Sequence, residues 1–247
     1  MCYTDEARPP LPPITGAAAS QGDLELTAPD GNRFMAYFAR AEKPTGAGVV
    51  VLPDVRGLHE FYKELAQRFA EAGVDSAAID YFGRTAGMGD RSDSFEYAAH
   101  VQKTTPEGVA SDTAAAIAYL KSKDGGAVKS VFTVGFCFGG TNSWNQSAQQ
   151  PDIDGCIGFY GRPARSEPFI SKMKAPLLVM VAGDDAVTTP EQAMEFKEQL
   201  ERAGVPFEQH VYRGAPHSFF DRSYVQWKEA CDDAWRRMLA FIKEHST

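Results

Sequence analysis

A cysteine between two glycines is the strongest candidate nucleophile in the sequence. Cys137 lies in the run GFCFG, which follows the apolar segment SVFTV and precedes a segment with helical spacing. This is the Gly-x-nucleophile-x-Gly turn from a strand into a helix, with cysteine where serine is usual. Gly135 and Gly139 suit such a turn because side chains there would collide with the neighbouring strand and helix. A buried structural cysteine in a tight turn is the alternative that the motif alone leaves open.

The same turn predicts a group that binds an oxyanion. It would lift the thiol of Cys137 clear of the sheet and point the backbone N–H of Phe138 at the carbonyl oxygen under attack. The N-terminus of the following helix adds a partial positive charge at that point. Cys137 is therefore predicted to attack a carbonyl carbon.

An acid and a base follow two later apolar runs. Asp184 and Asp185 come after PLLVM, and His217 comes after FEQHVY. The chain order nucleophile, acid, base is that of the α/β-hydrolases. His217 would take the thiol proton or pair with the thiolate, and one aspartate would orient the imidazole. The spacing leaves both aspartates open for this role, as well as an ordinary Gly-Asp-Asp turn and a surface histidine.

The elements before these groups must bring them to one edge of a sheet. The sequence predicts a hairpin over 23–41 that turns at 29–32, and strands at 49–52, 74–80, 130–134, 154–161, 176–183 and 207–214. Helices are predicted at 60–73, about 109–123, from 139, 190–204 and 224–244. The segment 81–108 is predicted to be irregular. Alternating strands and helices predict an α/β fold, with a mostly parallel central sheet, helices on both faces and the hairpin antiparallel. Working groups of such sheets lie at the carboxyl ends of the strands.

Composition limits the classes of protein that the chain can be. It has 247 residues, 43% of them hydrophobic, which favours one domain over 23–247 after a Pro- and Ala-rich tail at 1–22, predicted to be flexible. The formal net charge is −8 and no basic stripe is visible, so nucleic-acid binding is not expected. No run approaches the roughly 18 apolar residues of a membrane span. Four cysteines without a C-x-x-C pair predict reduced thiols and a cytoplasmic location.

Several motifs together resemble one family. The stretches LPDVRGL, IDYFGRTAG, GFCFGGT, GFYG, GDDAVTTP and PHSFFDR are similar to the dienelactone hydrolases (carboxymethylenebutenolidases), from about Leu24 to the last helix. The resemblance implies an α/β hydrolase with a Cys-His-Asp triad that uses no cofactor or metal. Members hydrolyse dienelactone to maleylacetate in the breakdown of chlorinated aromatics, and many act on other esters and lactones. The implied partner is a small-molecule ester or lactone.

The resemblance assigns the triad to Cys137, Asp185 and His217, and so selects Asp185 over Asp184. It also implies that the backbone N–H of Val55 is a second oxyanion donor beside that of Phe138. Arg84 matches an arginine that holds a substrate carboxylate, which suits the fork of a guanidinium. A solvated loop arginine is the alternative for Arg84.

The remaining implied site residues depart from the family pattern or have a plain alternative. Asp54 stands where the family has a glutamate that helps to deprotonate the thiol, and it is one methylene shorter. Arg222, one residue beyond the expected position, is the candidate for a second substrate-binding arginine. Tyr160 matches an active-site tyrosine, although a buried core aromatic is the alternative. His59 falls near the predicted site, and the resemblance gives it no role.

Two other functions fit the same residues. One is a general carboxylesterase or thioesterase with the same triad, in which Arg84 is incidental. The other is a thiol sensor that uses Cys137 without turnover, for which a reactive thiol would be diagnostic. The expected assembly is a monomer or a small homo-oligomer.

Overall fold

Eight strands form one sheet, and most of them run parallel. The computed structural model of the chain describes residues 6–221 and 223–247. The strands are β1 (Ala18–Thr27), β2 (Arg33–Ala41), β3 (Ala47–Leu52), β4 (Asp75–Ile79), β5 (Ser130–Phe136), β6 (Gly155–Phe159), β7 (Leu177–Ala182) and β8 (Phe207–Tyr212). Their order is β1-β2-β4-β3-β5-β6-β7-β8, antiparallel from β1 to β4 and parallel from there on. The predicted α/β fold with an N-terminal antiparallel hairpin is confirmed.

The hairpin turn follows from its residues. Gly31 has φ +87°, which glycine adopts without steric cost, and its N–H donates to the carbonyl of Ala28 at 2.9 Å. The carboxylate of Asp30 accepts the N–H of Asn32 at 3.2 Å, as aspartates often do in turns.

The described residues form eight α-helices. They are α1 (Glu60–Glu71), α2 (Gly83–Ala86), α3 (Ala98–Lys103), α4 (Pro106–Lys121), α5 (Phe138–Gln149), α6 (Glu167–Ile170), α7 (Pro190–Ala203) and α8 (Lys228–Glu244). In the described part of the chain, no helix is both long and apolar enough to cross a membrane.

The unalternating apolar run of β3 is explained by helices on both faces of the sheet. Val49 and Val51 belong to the buried cluster on the α1 side of the sheet, whereas Val50 and Leu52 belong to the cluster on the other face, which includes side chains of α4. Because successive side chains of a strand point to opposite faces, a strand covered twice must be apolar throughout.

Two helices begin elsewhere than predicted. Helix α4 begins at Pro106, not near residue 109 or 111, because the hydroxyl of Thr105 caps it by accepting the N–H of Gly108 at 3.1 Å. Helix α8 begins at Lys228, not at Tyr224, because Trp227 has the non-helical angles φ −111° and ψ 30°. The residues before it form turns.

The sheet begins inside the segment predicted as a tail. Strand β1 starts at Ala18 and pairs with β2 through its backbone, so side-chain composition gave no sign of it. Before it, the indole of Trp235 donates to the carbonyl of Pro10 at 3.0 Å, and Arg8 pairs with Glu64 at 3.0 Å. The tail boundary at residue 22 is therefore wrong, while the flexibility of residues 1–17 stays a prediction.

Candidate active site

The turn between β5 and α5 has the strained geometry expected of a nucleophile elbow. Cys137 has φ 55° and ψ −111°, which a non-glycine residue adopts only where its surroundings enforce it. A Cβ on Gly135 would lie 1.9 Å from the carbonyl oxygen of Gly139, and one on Gly139 would lie 2.0 Å from that of Leu52. Both contacts are with backbone, which cannot yield as a side chain can. The two glycines therefore let β3, β5 and α5 meet beneath the thiol.

Two residues with a backbone N–H that could bind an oxyanion line the same cavity as Cys137. Cys137, Phe138 and Val55 line a cavity of about 130 Å³. Phe138 is the first residue of α5, so its N–H has no acceptor within the helix. Among the described residues, neither Phe138 nor Val55 donates its N–H to a protein acceptor. The N–H groups of Val55 and Phe138 therefore remain the candidates to bind an oxyanion at Cys137.

The acid and the base meet as the chain order predicts. His217 Nδ1 lies 2.8 Å from Asp185 Oδ2, and Asp185 is buried. The other carboxylate oxygen, Oδ1, accepts the N–H groups of Val187 at 2.6 Å and Thr188 at 3.1 Å. Asp184, by contrast, is exposed. The turn after β7 therefore orients Asp185, and not its neighbour, toward the imidazole.

The imidazole joins the carboxylate to the thiol. Burial lowers the pKa of His217, but hydrogen bonds to Asp185 and to Cys137, together with their charges, raise it from 6.5 to about 10. A histidine with this pKa holds its proton at neutral pH, as it would beside a thiolate. Cys137 and His217 can therefore form a thiolate–imidazolium pair, and the carboxylate of Asp185 can orient the imidazolium.

Tyr160 packs against the imidazole. Its ring centroid is 4.9 Å from that of His217, and its hydroxyl donates to Asp221 Oδ2 at 3.2 Å. Tyr160 has φ 37°, an angle that costs energy for a non-glycine residue. The side chain is buried, so the structure places it as a support behind His217 rather than as a lining of the cavity.

Asp54 and His59 are buried near this edge and make local contacts. Asp54 Oδ1 accepts the N–H of Arg56 at 2.9 Å, and Asp54 is not among the described residues that line the cavity. His59 caps α1, since its Nδ1 accepts the N–H of Phe61 at 3.1 Å. The assistance of Asp54 in deprotonating the thiol stays a prediction.

The structure does not bring Arg84 to the cavity. Its guanidinium makes a bidentate pair with Asp112, through Nε at 2.9 Å and a terminal nitrogen at 2.8 Å. It also pairs with Asp30 of the hairpin turn at 2.7 Å. These contacts join α2 to α4 and to the hairpin, which is a structural arrangement. Arg222, the other predicted arginine, lies outside the described residues.

Two arginines that were not predicted as site residues line the cavity instead. Arg162 and Arg165 follow β6 and border the space around Cys137. The guanidinium carbon of Arg165 lies 5.5 Å from the ring centroid of Phe138. Their signal in the sequence was their place directly after a parallel strand, where working groups gather.

The other described cysteines are enclosed. Cys156 in β6 and Cys231 in α8 have no exposed surface, and burial raises the pKa of each thiol to about 12. Cys137, by contrast, is partly exposed. Of these three thiols, only that of Cys137 can meet a solute.

The chain is similar to proteins of one family over most of its length. A family model described as the dienelactone hydrolase family matches residues 34–246. A provisionally named carboxymethylenebutenolidase of Yersinia pestis is 27% identical over 234 residues, covering 90% of this chain and 88% of that protein. A provisionally named 2-oxo-3-(5-oxofuran-2-ylidene)propanoate lactonase of Bradyrhizobium is 26% identical over 231 residues, covering 87% of this chain and 91% of that protein.

A solved structure supports the same fold. It is that of a dienelactone hydrolase-like promiscuous phosphotriesterase from metagenomic libraries, with a TM-score of 0.76 at 22% identity, covering 94% of this chain and all of that one. At this identity the likeness concerns the fold, whereas the family model covers most of the sequence. The chain therefore belongs to the dienelactone hydrolase family and is a hydrolase of the α/β-hydrolase fold.

Proposed function

We propose that the chain hydrolyses a lactone or ester through a thioester formed on Cys137, with His217 as the base and acid and Asp185 as its orienting carboxylate. The observation that carries this proposal is the imidazole of His217, which lies 2.8 Å from the carboxylate of Asp185 and whose pKa is raised by Asp185 and by the thiol of Cys137. Nucleophile, base and orienter in hydrogen-bond contact are the mark of nucleophilic catalysis.

In the first half-reaction the thiolate attacks the carbonyl carbon. A C–S bond forms, and the electron pair of the C=O bond moves to oxygen, where the N–H groups of Val55 and Phe138 stabilise it. The intermediate then expels the alkoxide, which takes the proton from His217. In a lactone the ring opens and the new alcohol stays attached to the acyl group.

In the second half-reaction water regenerates the enzyme. His217 takes a proton from water, and the hydroxide attacks the thioester carbon. The C–S bond breaks, the thiolate leaves and the acid is released. Tyr160 and Asp185 support the imidazole from two sides, which keeps it in position for both proton transfers.

We propose a lactone with a carboxylate group, similar to dienelactone, as the substrate. Support comes from the family and from the Bradyrhizobium relative, whose name gives a propanoate lactone as its substrate. A general carboxylesterase is the second candidate. The observation that favours it is a groove of about 630 Å³ beside the cavity, which has room for a larger ester.

Hydrolysis assays test the proposal. Cis- and trans-dienelactone and a neutral aryl ester are given to the wild type, to Cys137→Ala and to His217→Ala. We expect both variants to lose turnover of every substrate that the wild type hydrolyses, by on the order of a thousandfold or more. Hydrolysis of the aryl ester without that of dienelactone would support the general carboxylesterase. Activity that survives in Cys137→Ala would refute the thioester mechanism, and a reactive thiol without any turnover would support a sensor.

A further inference from the structure

We propose that Arg162 and Arg165 bind an anionic group of the substrate, and that the substrate extends from Cys137 into the neighbouring groove. This inference rests on the proposed function and assigns the part of the site that recognises charge. It gives the substrate class as an elongated ester or lactone with a carboxylate several atoms from the scissile bond.

The segment that carries the two arginines is fastened to the helix behind the nucleophile. The hydroxyl of Thr141 on α5 accepts the N–H of Arg162 at 2.7 Å. The segment then makes a single turn of 3-10 helix at Pro163–Arg165, which brings Arg165 over the ring of Phe138. Phe138 supplies one of the two amides proposed to hold the oxyanion. The backbone of one short segment therefore places both arginine residues at the cavity that holds Cys137.

The two arginines have no carboxylate partner in the described part of the chain. No ion pair joins Arg162 or Arg165 to any described Asp or Glu, although both side chains are exposed. Arg84, Arg56 and Arg91, in contrast, each pair with an aspartate. Arg162 also lines a second cavity that contains Glu167 and Glu195, but it forms no ion pair with either. In a chain with a net charge of −8, two arginines without an ion pair at the cavity of Cys137 create a local attraction for an anion.

The shape of the site favours a substrate longer than a single small ring. The cavity at Cys137 holds about 130 Å³ and the adjoining groove about 630 Å³. They share the wall residues Val101, Phe138, Thr141 and Arg165. Beyond Arg165 the groove passes the apolar side chain of Phe169. Arg165 thus stands where the two spaces meet, and a carboxylate bound there would belong to a chain that lies along the groove.

Matched ester pairs test the inference. In one pair the carboxylate is on the acyl side: mono-para-nitrophenyl adipate against para-nitrophenyl valerate. In the other it is on the leaving group: para-acetoxybenzoate against its methyl ester. The readout is the ratio of kcat/KM for the anionic ester to kcat/KM for the neutral ester. The variants are Arg162→Gln, Arg165→Gln and the double variant, with Arg202→Gln on α7 as a control that also removes one exposed positive charge.

We expect the double variant to lower the ratio by roughly 10- to 100-fold in at least one pair, because a charge-assisted hydrogen bond to the anion is lost. Arg202→Gln should leave the ratio unchanged. Added salt should lower the ratio of the wild type, since both guanidinium groups are exposed. This second readout needs no substitution.

A ratio that is unchanged in both pairs would overturn the inference, and so would an equal loss for anionic and neutral esters. The neutral esters separate this result from a failure of the proposed function. If they are hydrolysed by the wild type and not by Cys137→Ala, the thioester mechanism stands and only the role of the two arginines is refuted. If the wild type hydrolyses dienelactone but none of the four esters, the inference alone is refuted. If it hydrolyses neither dienelactone nor any of the four esters, the proposed function and the inference built on it are both refuted.

Discussion

The carboxylate of Asp185 is held at both oxygens, one by the imidazole of His217 at 2.8 Å and the other by two backbone N–H groups of the turn after β7. Such a carboxylate can neither rotate nor be replaced by its exposed neighbour Asp184. The relationship fixes which imidazole nitrogen faces the thiol, because Nδ1 is taken by Asp185.

Asp185→Asn tests this relationship. The amide keeps the shape of the side chain but loses the charge, so the tautomer and the pKa of His217 both change. We expect kcat for a neutral ester to fall on the order of 10³- to 10⁴-fold. The imidazole pKa, followed by NMR, should fall from its raised value because one of the groups that raise it is gone. A fall in kcat of less than tenfold with an unchanged imidazole pKa would show that Asp185 does not orient His217.

Alkylation of the thiols should single out Cys137. In a Cys2→Ser background, we expect iodoacetamide to label Cys137 at neutral pH and to spare Cys156 and Cys231, which are buried and have pKa values raised to about 12. His217→Ala should slow the labelling at pH 6.5 by roughly tenfold or more, since an ordinary thiol is largely protonated there. Peptide mass spectrometry measures each site. Equal labelling of all three thiols in the folded protein would contradict the structure.

Stability between pH 4 and 6 should depend on Asp80, which lies at the end of β4 and pairs with Arg91 at 2.8 Å. Burial raises the pKa of Asp80 to about 6, against the lowering effects of Arg91 and of backbone N–H groups. The folded state therefore binds the proton more tightly than the unfolded state. The stability that this group contributes is full below its unfolded pKa and is lost as the pH rises through about 6.

Asp80→Asn removes that dependence. We expect the free energy of unfolding of the wild type, relative to the variant, to fall by roughly 2 kcal/mol from pH 4 to pH 6. Urea unfolding at several pH values measures it. A constant offset between the two proteins would show that Asp80 keeps an ordinary pKa in the fold.

Removal of Arg84 should affect stability rather than substrate preference. Its guanidinium neutralises Asp112, whose side chain has no exposed surface. We expect Arg84→Ala to lower the free energy of unfolding by about 1–3 kcal/mol, because a buried carboxylate loses its partner. The anionic-to-neutral ratio of kcat/KM should stay as in the wild type. A lowered ratio in a variant of normal stability would instead support the predicted carboxylate clamp.

Much of the fold follows from local patterns in the sequence. The apolar run of β3 and the glycines of the elbow predicted a doubly covered strand and a sharp turn, and both are present. The start of α4 was missed because the apolar spacing begins only near Val109, whereas the capping signal lies earlier, at Thr105 and Pro106. The predicted start of strand β1 was too late in the sequence, because pairing through the backbone needs no apolar residue.

The part of the site that faces the substrate was less predictable. Cys137, Asp185 and His217 each follow a strand. Their order in the chain and this position were enough to predict that they lie at the same edge of the sheet. The direction of a long arginine side chain depends on which carboxylates lie nearby in space. Arg84 pairs with Asp112, which is distant in sequence. Arg162, in contrast, forms no ion pair with a described carboxylate, although Glu167 and Glu195 line a cavity with it. No spacing rule distinguishes these two cases before the fold is known.

Whether a thioester forms on Cys137 is tested most directly by the mass of the enzyme during turnover of a slowly deacylated aryl ester, quenched in acid. We expect a species heavier by one acyl group, with the acyl group on the peptide that contains Cys137. The adduct should be released by hydroxylamine at neutral pH, as a thioester is, and should be absent in Cys137→Ala. Turnover without an adduct on Cys137 would refute the thioester mechanism, and so would an adduct on another residue that forms and decays at the rate of turnover.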